Sequence, residues 1–192
     1  IDPMIHICSS SEVYGQVRKA DVPIKETCPF RPASPYAVSK IGEDMIAFQY
    51  WVSYGLKTLR TRMFTHTGPR RGDVFAMSFF AKQVAAAELG LKEPVVLVGN
   101  LKSVRTFCDV RDAVRAYWIL VNKCKVGEVY NIGGNRSVAI AEALKILLSY
   151  SNIKLKIKVD PRLLRPSDVT LQIPCIDKFR NETGWEPKIP LE

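Results

Sequence analysis

The 192-residue sequence has no apolar run long enough to cross a bilayer, so no membrane-spanning segment is expected. No basic stretch leading into an apolar core and a small-residue cleavage site opens the chain, so no secretory signal is expected either. The five cysteines (Cys8, Cys28, Cys108, Cys124 and Cys175) include no pair at C-x-x-C spacing. That excludes the common zinc and dithiol redox patterns. An odd number of scattered thiols reads as reduced cysteines in a cytoplasmic protein. Internal repeats and low-complexity tracts are absent, and no Lys/Arg-rich block interleaves with aromatic residues. The net charge of +9 therefore reads as a solvated basic surface or a pocket for a small anion, and no nucleic-acid partner is expected.

What remains is ordinary globular composition, 47% apolar and 24% charged. The length suits one sizeable domain, or one with a small appendage. An apolar strand over residues 4–9 runs into a serine-rich turn, and a proline-rich loop follows over 15–35. Ser34-Pro35 opens a helix, with serine as N-cap and proline in the first turn. Val38, Ile41, Met45, Phe48 and Val52 give that helix an apolar stripe at 3.6-residue spacing, and Gly55 ends it. Further strands are expected over 56–63, 95–98 and 128–132, and further helices over 75–89 and 110–122. Ser137 is expected to cap a helix reaching Tyr150. The alternation over 153–159, with lysines at 154, 156 and 158, predicts a half-exposed edge strand. A short helix over 176–183 stops at Gly184. Strands and helices alternate, so the fold class is α/β with a mainly parallel sheet.

Tyr36 and Lys40 stand four residues apart, which puts both on one helix face. An ammonium beside a phenol favours the phenolate, and such a tyrosine can act as acid or base near neutral pH. The pair follows Ser9-Ser10-Ser11-Glu12-Val13-Tyr14-Gly15, which comes directly after a strand, where parallel sheets bind ligands.

These segments, S-S-x-x-V-Y-G and S-P-Y-x-x-S-K, resemble the extended short-chain dehydrogenase/reductase family (NAD-dependent epimerases and dehydratases). Further matching segments follow in the same order. They are Arg62 to Pro69, Val98-Gly99-Asn100, Arg105 to Asp112, Val129 to Gly133, Leu164-Arg165-Pro166-Ser167-Asp168-Val169 and Gly184-Trp185-Glu186-Pro187. The resemblance covers the chain from Met4 onward. It implies the C-terminal part of a Rossmann-like, doubly wound parallel sheet plus a small α/β substrate-binding lobe. On this reading residues 4–67 form the C-terminal half of the cofactor domain. Residues 68–192 form mainly the nucleotide-sugar lobe, with segments returning to the Rossmann sheet.

Within the family, Gly99-Asn100-Leu101 and the Leu-Arg-Pro-Ser-Asp-Val segment are most similar to enzymes of GDP-sugars. These are the GDP-mannose 4,6-dehydratases and the reductases of their 4-keto-6-deoxy product. The resemblance implies that Tyr36 handles the proton of the sugar C4 hydroxyl, Ser10 holds that oxygen and Glu12 is the base at C5. Lys40 would bind the nicotinamide ribose and tune Tyr36, and His66 would complete the contacts to NADP or NAD. Thr65, Lys82, Asn100, Arg105, Arg165 and Asp168 would hold the nucleotide diphosphate sugar, the arginines through its phosphates. A homodimer or higher homo-oligomer is implied, with Phe48, Tyr50 and Trp51 of the catalytic helix at its interface.

The sequence departs from the family in places. The glycine-rich fingerprint of dinucleotide binding does not occur, and the chain opens at what resembles the fifth strand, with Met4 reading as a start. The expectation is a chain without the pyrophosphate-binding half, and without the family's final helix. Thr65 stands at a usual Asn, Lys102 at a usual Asp, and Thr106 replaces an Asp after Arg105. Three readings stay open: a 4,6-dehydratase, a 4-keto reductase or 4-epimerase on the same scaffold, and a non-catalytic fragment. Equilibrium dialysis with NADP and with GDP tests the last. GDP binding without NADP binding is the expected result for a half-site, and tight binding of both overturns it.

Overall fold

The apolar run after Met4 becomes strand β1 (Ile5–Ser10), which passes into a 3-10 turn over Ser11–Tyr14. The computed structural model describes residues 2–164 and 168–191. Gly15 ends the turn at φ +53°, and a Cβ there would meet the Arg31 carbonyl oxygen at 1.5 Å. Only glycine fits, because the returning loop lies against the turn itself. Helix α1 (Pro35–Tyr54) begins as the sequence predicts. The Ser34 hydroxyl accepts from the Ala37 amide at 3.1 Å, and Gly55 closes the helix in the left-handed region.

Strands β2 (Thr58–Met63) and β3 (His66–Thr67) follow, then α2 (Ala76–Glu88), β4 (Val95–Val98), β5 (Val104–Asp109) and α3 (Val110–Lys123). The chain continues through β6 (Val129–Ile132), β7 (Arg136–Ala139), α4 (Ile140–Ser149), β8 (Lys156–Val159), β9 (Leu171–Gln172) and α5 (Asp177–Thr183). One sheet has the parallel order β1-β2-β6. A second is centred on β5, with β3 and β9 parallel to it and β7 antiparallel. Strands β4 and β8 form a parallel pair. The class is α/β with mainly parallel pairing, as expected.

Strand β2 is buried along its whole length because both faces are covered. Leu59 and Met63 join Leu120 of α3, Phe179 of α5 and Trp185 in one core cluster. The alternate residues Thr58, Arg60 and Arg62 turn to α1. A second core forms around Phe80, Val84, Val96, Val98, Phe107, Val138 and Leu144, where α2 and α4 cover β4, β5 and β7.

Three local expectations are corrected. The 3.6-residue stripe of α1 is not its buried face. Ala37, Asp44 and Ala47 are buried, whereas Val38, Met45, Phe48 and Val52 are exposed. The helix meets the sheet through small residues and an ion pair, and periodicity alone could not tell the two apolar faces apart. Ser137 is not a helix cap: it lies in β7, and its hydroxyl meets that of Thr106 at 2.6 Å across the antiparallel pair. Helix α4 starts three residues later with no side-chain cap. Strand β8 covers only the second half of the predicted segment, and all four of its residues are exposed, so its alternation buries neither face.

The helix–sheet contact is ionic. Asp44, fully buried, accepts from Arg60 Nη1 at 3.0 Å and from Arg62 Nε at 2.7 Å. Arg62 also donates to Tyr14 Oη at 3.1 Å and to the Glu26 carbonyl at 2.8 Å. Asp44→Ala leaves two buried guanidinium groups without their carboxylate, which should cost roughly 3–5 kcal/mol in a denaturant titration. A loss below about 1 kcal/mol, the range of an exposed pair, would contradict this account.

Candidate active site

The site begins where β1 ends. Ser10 is nearly buried, and its Oγ accepts from the Glu12 amide at 3.2 Å, so this serine caps the 3-10 turn that carries Glu12. The turn is anchored from below by Tyr14. Its hydroxyl donates to Asn131 Oδ1 of β6 at 2.7 Å and accepts from Arg62 of β2. Burial pushes the Tyr14 phenol up to about 12, so it stays neutral and serves as a strut.

Lys40 lies one helical turn after Tyr36. Its ammonium donates to the Cys8 carbonyl at 3.1 Å and to Glu43 at 2.8 Å, and sits 5.8 Å from the Tyr36 ring centroid. The hydrogen bond that Lys40 donates to Glu43 raises the Lys40 pKa above the ordinary lysine value, which keeps the side chain cationic. Tyr36 is half exposed, at 53%. Helix α1 thus presents a phenol and a fixed cation at the C-terminal end of β1, beside the Ser10–Glu12 turn.

A second group forms around Asp168. Its carboxylate accepts from Asn100 Nδ2 at 2.6 Å and from Ser103 Oγ at 2.9 Å, and Arg105 Nη2 approaches at 3.7 Å. Arg105 is on β5, and the other three are on flanking loops. Asn100, Arg105 and Asp168, three of the expected substrate contacts, are therefore together. Ser103 joins them without having been singled out, although its place three residues after Asn100 is a usable signal.

The remaining expected residues divide. Thr65 follows the end of β2, and its carbonyl accepts from the Cys108 amide at 2.9 Å. His66 opens β3, with Nδ1 at 3.4 Å from the Phe64 carbonyl, and burial lowers its pKa below the ordinary histidine value. Lys82 lies on the α2 surface, paired with Asp73. Among the described residues no hydrogen bond connects Lys82 to either group. Arg165 lies outside the described residues. Thr106, at the usual Asp position, is buried between Ser137 and the Gln172 carbonyl. Lys102 is exposed, and its amide closes a turn on Asn100 Oδ1.

Gln172 connects the two groups and no motif pointed to it. Its amide bridges Ser11 and Glu12, and it lies opposite Arg105 in the β9–β5 register.

A parallel sheet with a serine, a carboxylate and a Tyr-x-x-x-Lys pair at its strand ends defines a Rossmann-like protein of the extended short-chain dehydrogenase type. The chain belongs to the GDP-mannose 4,6 dehydratase family, whose model matches residues 3–192. It is 33% identical over 184 residues to a GDP-6-deoxy-D-mannose reductase of Pseudomonas aeruginosa, covering 96% of this chain and 60% of that protein. It is 28% identical to a GDP-mannose 4,6-dehydratase of Yersinia enterocolitica, covering 96% of this chain and 56% of that one. The chain thus spans less than two thirds of the length of these curated relatives. The solved structure of RMD from Pseudomonas aeruginosa complexed with NADPH superposes with a TM-score of 0.92 at 31% identity, covering 100% of this chain and 63% of that one.

The Tyr14 strut has a measurable signature. An unfolded tyrosine loses its proton near pH 10, whereas folded Tyr14 holds it to about 12. Stability is therefore full below about pH 10 and falls as the pH rises toward 12. Tyr117, also pushed up to about 12 by burial, adds to the effect. In a spectrophotometric titration these two and Tyr130, whose pKa burial also raises, should ionise late, and Tyr14→Phe should remove one late phenolate. Ionisation of all seven tyrosines together near pH 10 would contradict the strut.

Proposed function

We propose that the chain carries the acid–base machinery of a nucleotide-sugar 4,6-dehydratase acting on a GDP-mannose-type substrate. The observation that carries this reading is the carboxylate of Glu12, fixed on a turn capped by Ser10 at the end of the strand whose Cys8 carbonyl accepts from Lys40. Tyr36 takes the proton of the C4 hydroxyl as that carbon is oxidised, and Ser10 donates to the resulting carbonyl oxygen. The C4 ketone acidifies the C5 hydrogen. Glu12 removes that proton while hydroxide leaves C6 and is protonated to water, and a proton later returns to C5. Asn100, Arg105 and Asp168 hold the nucleotide diphosphate, with Arg165, Thr65 and Lys82 as further contacts.

The residues fit a nicotinamide cofactor. Lys40 has three N–H groups, and its two bonds leave one for a ribose hydroxyl. The half-exposed Tyr36 ring and His66 complete the contacts. NADP or NAD bound there would accept hydride from the sugar and return it. Residues 4–67 are read as the C-terminal half of the cofactor domain and residues 68–192 as mainly the sugar-nucleotide lobe. The pairing of β6 with β2 supports a segment returning to the first sheet. The exposed apolar face of α1, with Val38, Met45, Phe48 and Tyr50, supports a homodimer.

A second reading, the 4-keto reductase, is favoured by the higher identity to the reductase, 33% against 28%. The two separate on Glu12. Proton abstraction at C5 needs no bound oxidant once the ketone is present. This chain is therefore expected to exchange the C5 hydrogen of a GDP-4-keto-6-deoxy sugar in heavy water, read by NMR. Glu12→Gln should slow that exchange about 10²–10⁴-fold. In the dehydratase reading the same change abolishes dehydration. In the reductase reading NADPH-dependent ketone reduction survives it. Exchange undiminished in Glu12→Gln removes the C5-base role.

A further inference from the structure

We propose that Gln172 is a positioning residue for Glu12, holding its carboxylate in register with the bound sugar nucleotide. The proposal rests on the reading of Glu12 as the C5 base.

Gln172 is 2% exposed, yet it comes from a strand of only two residues. Its polar atoms are matched by specific partners. Oε1 accepts from the Ser11 hydroxyl at 2.8 Å, and Nε2 donates to Glu12 Oε1 at 3.1 Å. Its backbone carbonyl accepts from Thr106 Oγ1 at 3.1 Å. The amide lies with Oε1 on the Ser11 hydroxyl and its N–H end facing Glu12. An N–H can only donate. It therefore fixes an acceptor oxygen of Glu12 in place. One oxygen of Glu12 is tethered, which leaves Oε2 for the reacting hydrogen.

The same residue sets where that oxygen lies relative to the substrate. Gln172 pairs with Arg105 in the β9–β5 register and follows Asp168 by four residues. Arg105 and Asp168 approach each other at 3.7 Å, in the group read as the nucleotide grip. A shift of β9 would move the base and that group together. Reaction geometry is sensitive to displacements of this kind, because a misplacement of about 1 Å can cost roughly 10²-fold in rate.

Gln172→Leu keeps the bulk and removes the donor. Exchange at C5 of the 4-keto sugar nucleotide should fall about tenfold or more, as for loss of a hydrogen bond to a charged group, with KM within about twofold. The Glu12→Gln/Gln172→Leu double variant should be no slower than Glu12→Gln alone, because Gln172 acts only through Glu12. Equal losses in both backgrounds mean a general structural role and overturn the proposal. Gln172→Glu keeps the shape but sets a carboxylate against Glu12, and a wild-type rate in it also overturns the proposal.

A readout independent of activity guards against misfolded variants. In ¹⁵N-edited NMR of the wild-type chain, a Gln172 side-chain amide proton should be slow to exchange. Its resonance should move in Glu12→Ala and stay in place in Tyr36→Phe. An amide indifferent to Glu12 in a chain that exchanges C5 overturns the role of Gln172 alone. A responsive amide in a chain that does not exchange C5 overturns the reading of Glu12 on which the role depends.

Discussion

One carboxylate and two guanidinium groups, sealed between a helix and a sheet, hold the elements of the candidate site in place. Asp44 on α1 binds Arg60 and Arg62 on β2, all three almost wholly buried. Charges this deep are costly unless each is paired, so the helix has little freedom to slide along the strand. Tyr36 and Lys40 sit at the N-terminal end of the same helix. Arg62 reaches further, to Tyr14 and the Glu26 carbonyl, and Tyr14 reaches Asn131 on β6. The turn bearing Ser10 and Glu12 is thus referred to the same arginine as the helix bearing the phenol.

A second connection runs through β5 and β9. Thr106 and Arg105 on β5 meet Gln172 on β9, and Gln172 meets Ser11 and Glu12 on the turn. The polar group around Asp168 is therefore two residues' contact away from the turn that carries Glu12. Such rigidity is what the proposed proton abstraction would need, because it keeps one Glu12 carboxylate oxygen in a fixed place. The basic charge of the chain fits an anionic diphosphate substrate, with Arg105 contributing a guanidinium to the polar group and Asp168 fixing its direction.

The departures from the family pattern also acquire physical meaning. Thr106, where an Asp is usual, spends its hydroxyl on Ser137 and on the Gln172 backbone. A carboxylate in that buried position would face the Gln172 carbonyl oxygen, so threonine suits the contact that is present. Lys102 is exposed on a turn closed by Asn100, and substitution there leaves the Asp168 group untouched.

The sequence by itself determined the α/β class, most element positions, and the capped start and glycine stop of α1, and it marked Ser10, Glu12, Tyr36 and Lys40 as candidates. All of these depend on local spacing: four residues bring Tyr36 and Lys40 onto one helix face, and a serine before a proline opens a helix. Tertiary structure alone decided which face of α1 is buried. An apolar stripe at the right period was present on the exposed side, whereas the packed side is held by the long-range Asp44–Arg pairs. It also decided that Ser137 belongs to a strand, because antiparallel pairing with β5 overrides a local capping preference. The short strands β3 and β9 carry no periodic signal, so Gln172 was invisible until the chain brought it 160 residues back to Glu12. Local chemistry is written in neighbouring residues. The contact that aims it is made across the fold.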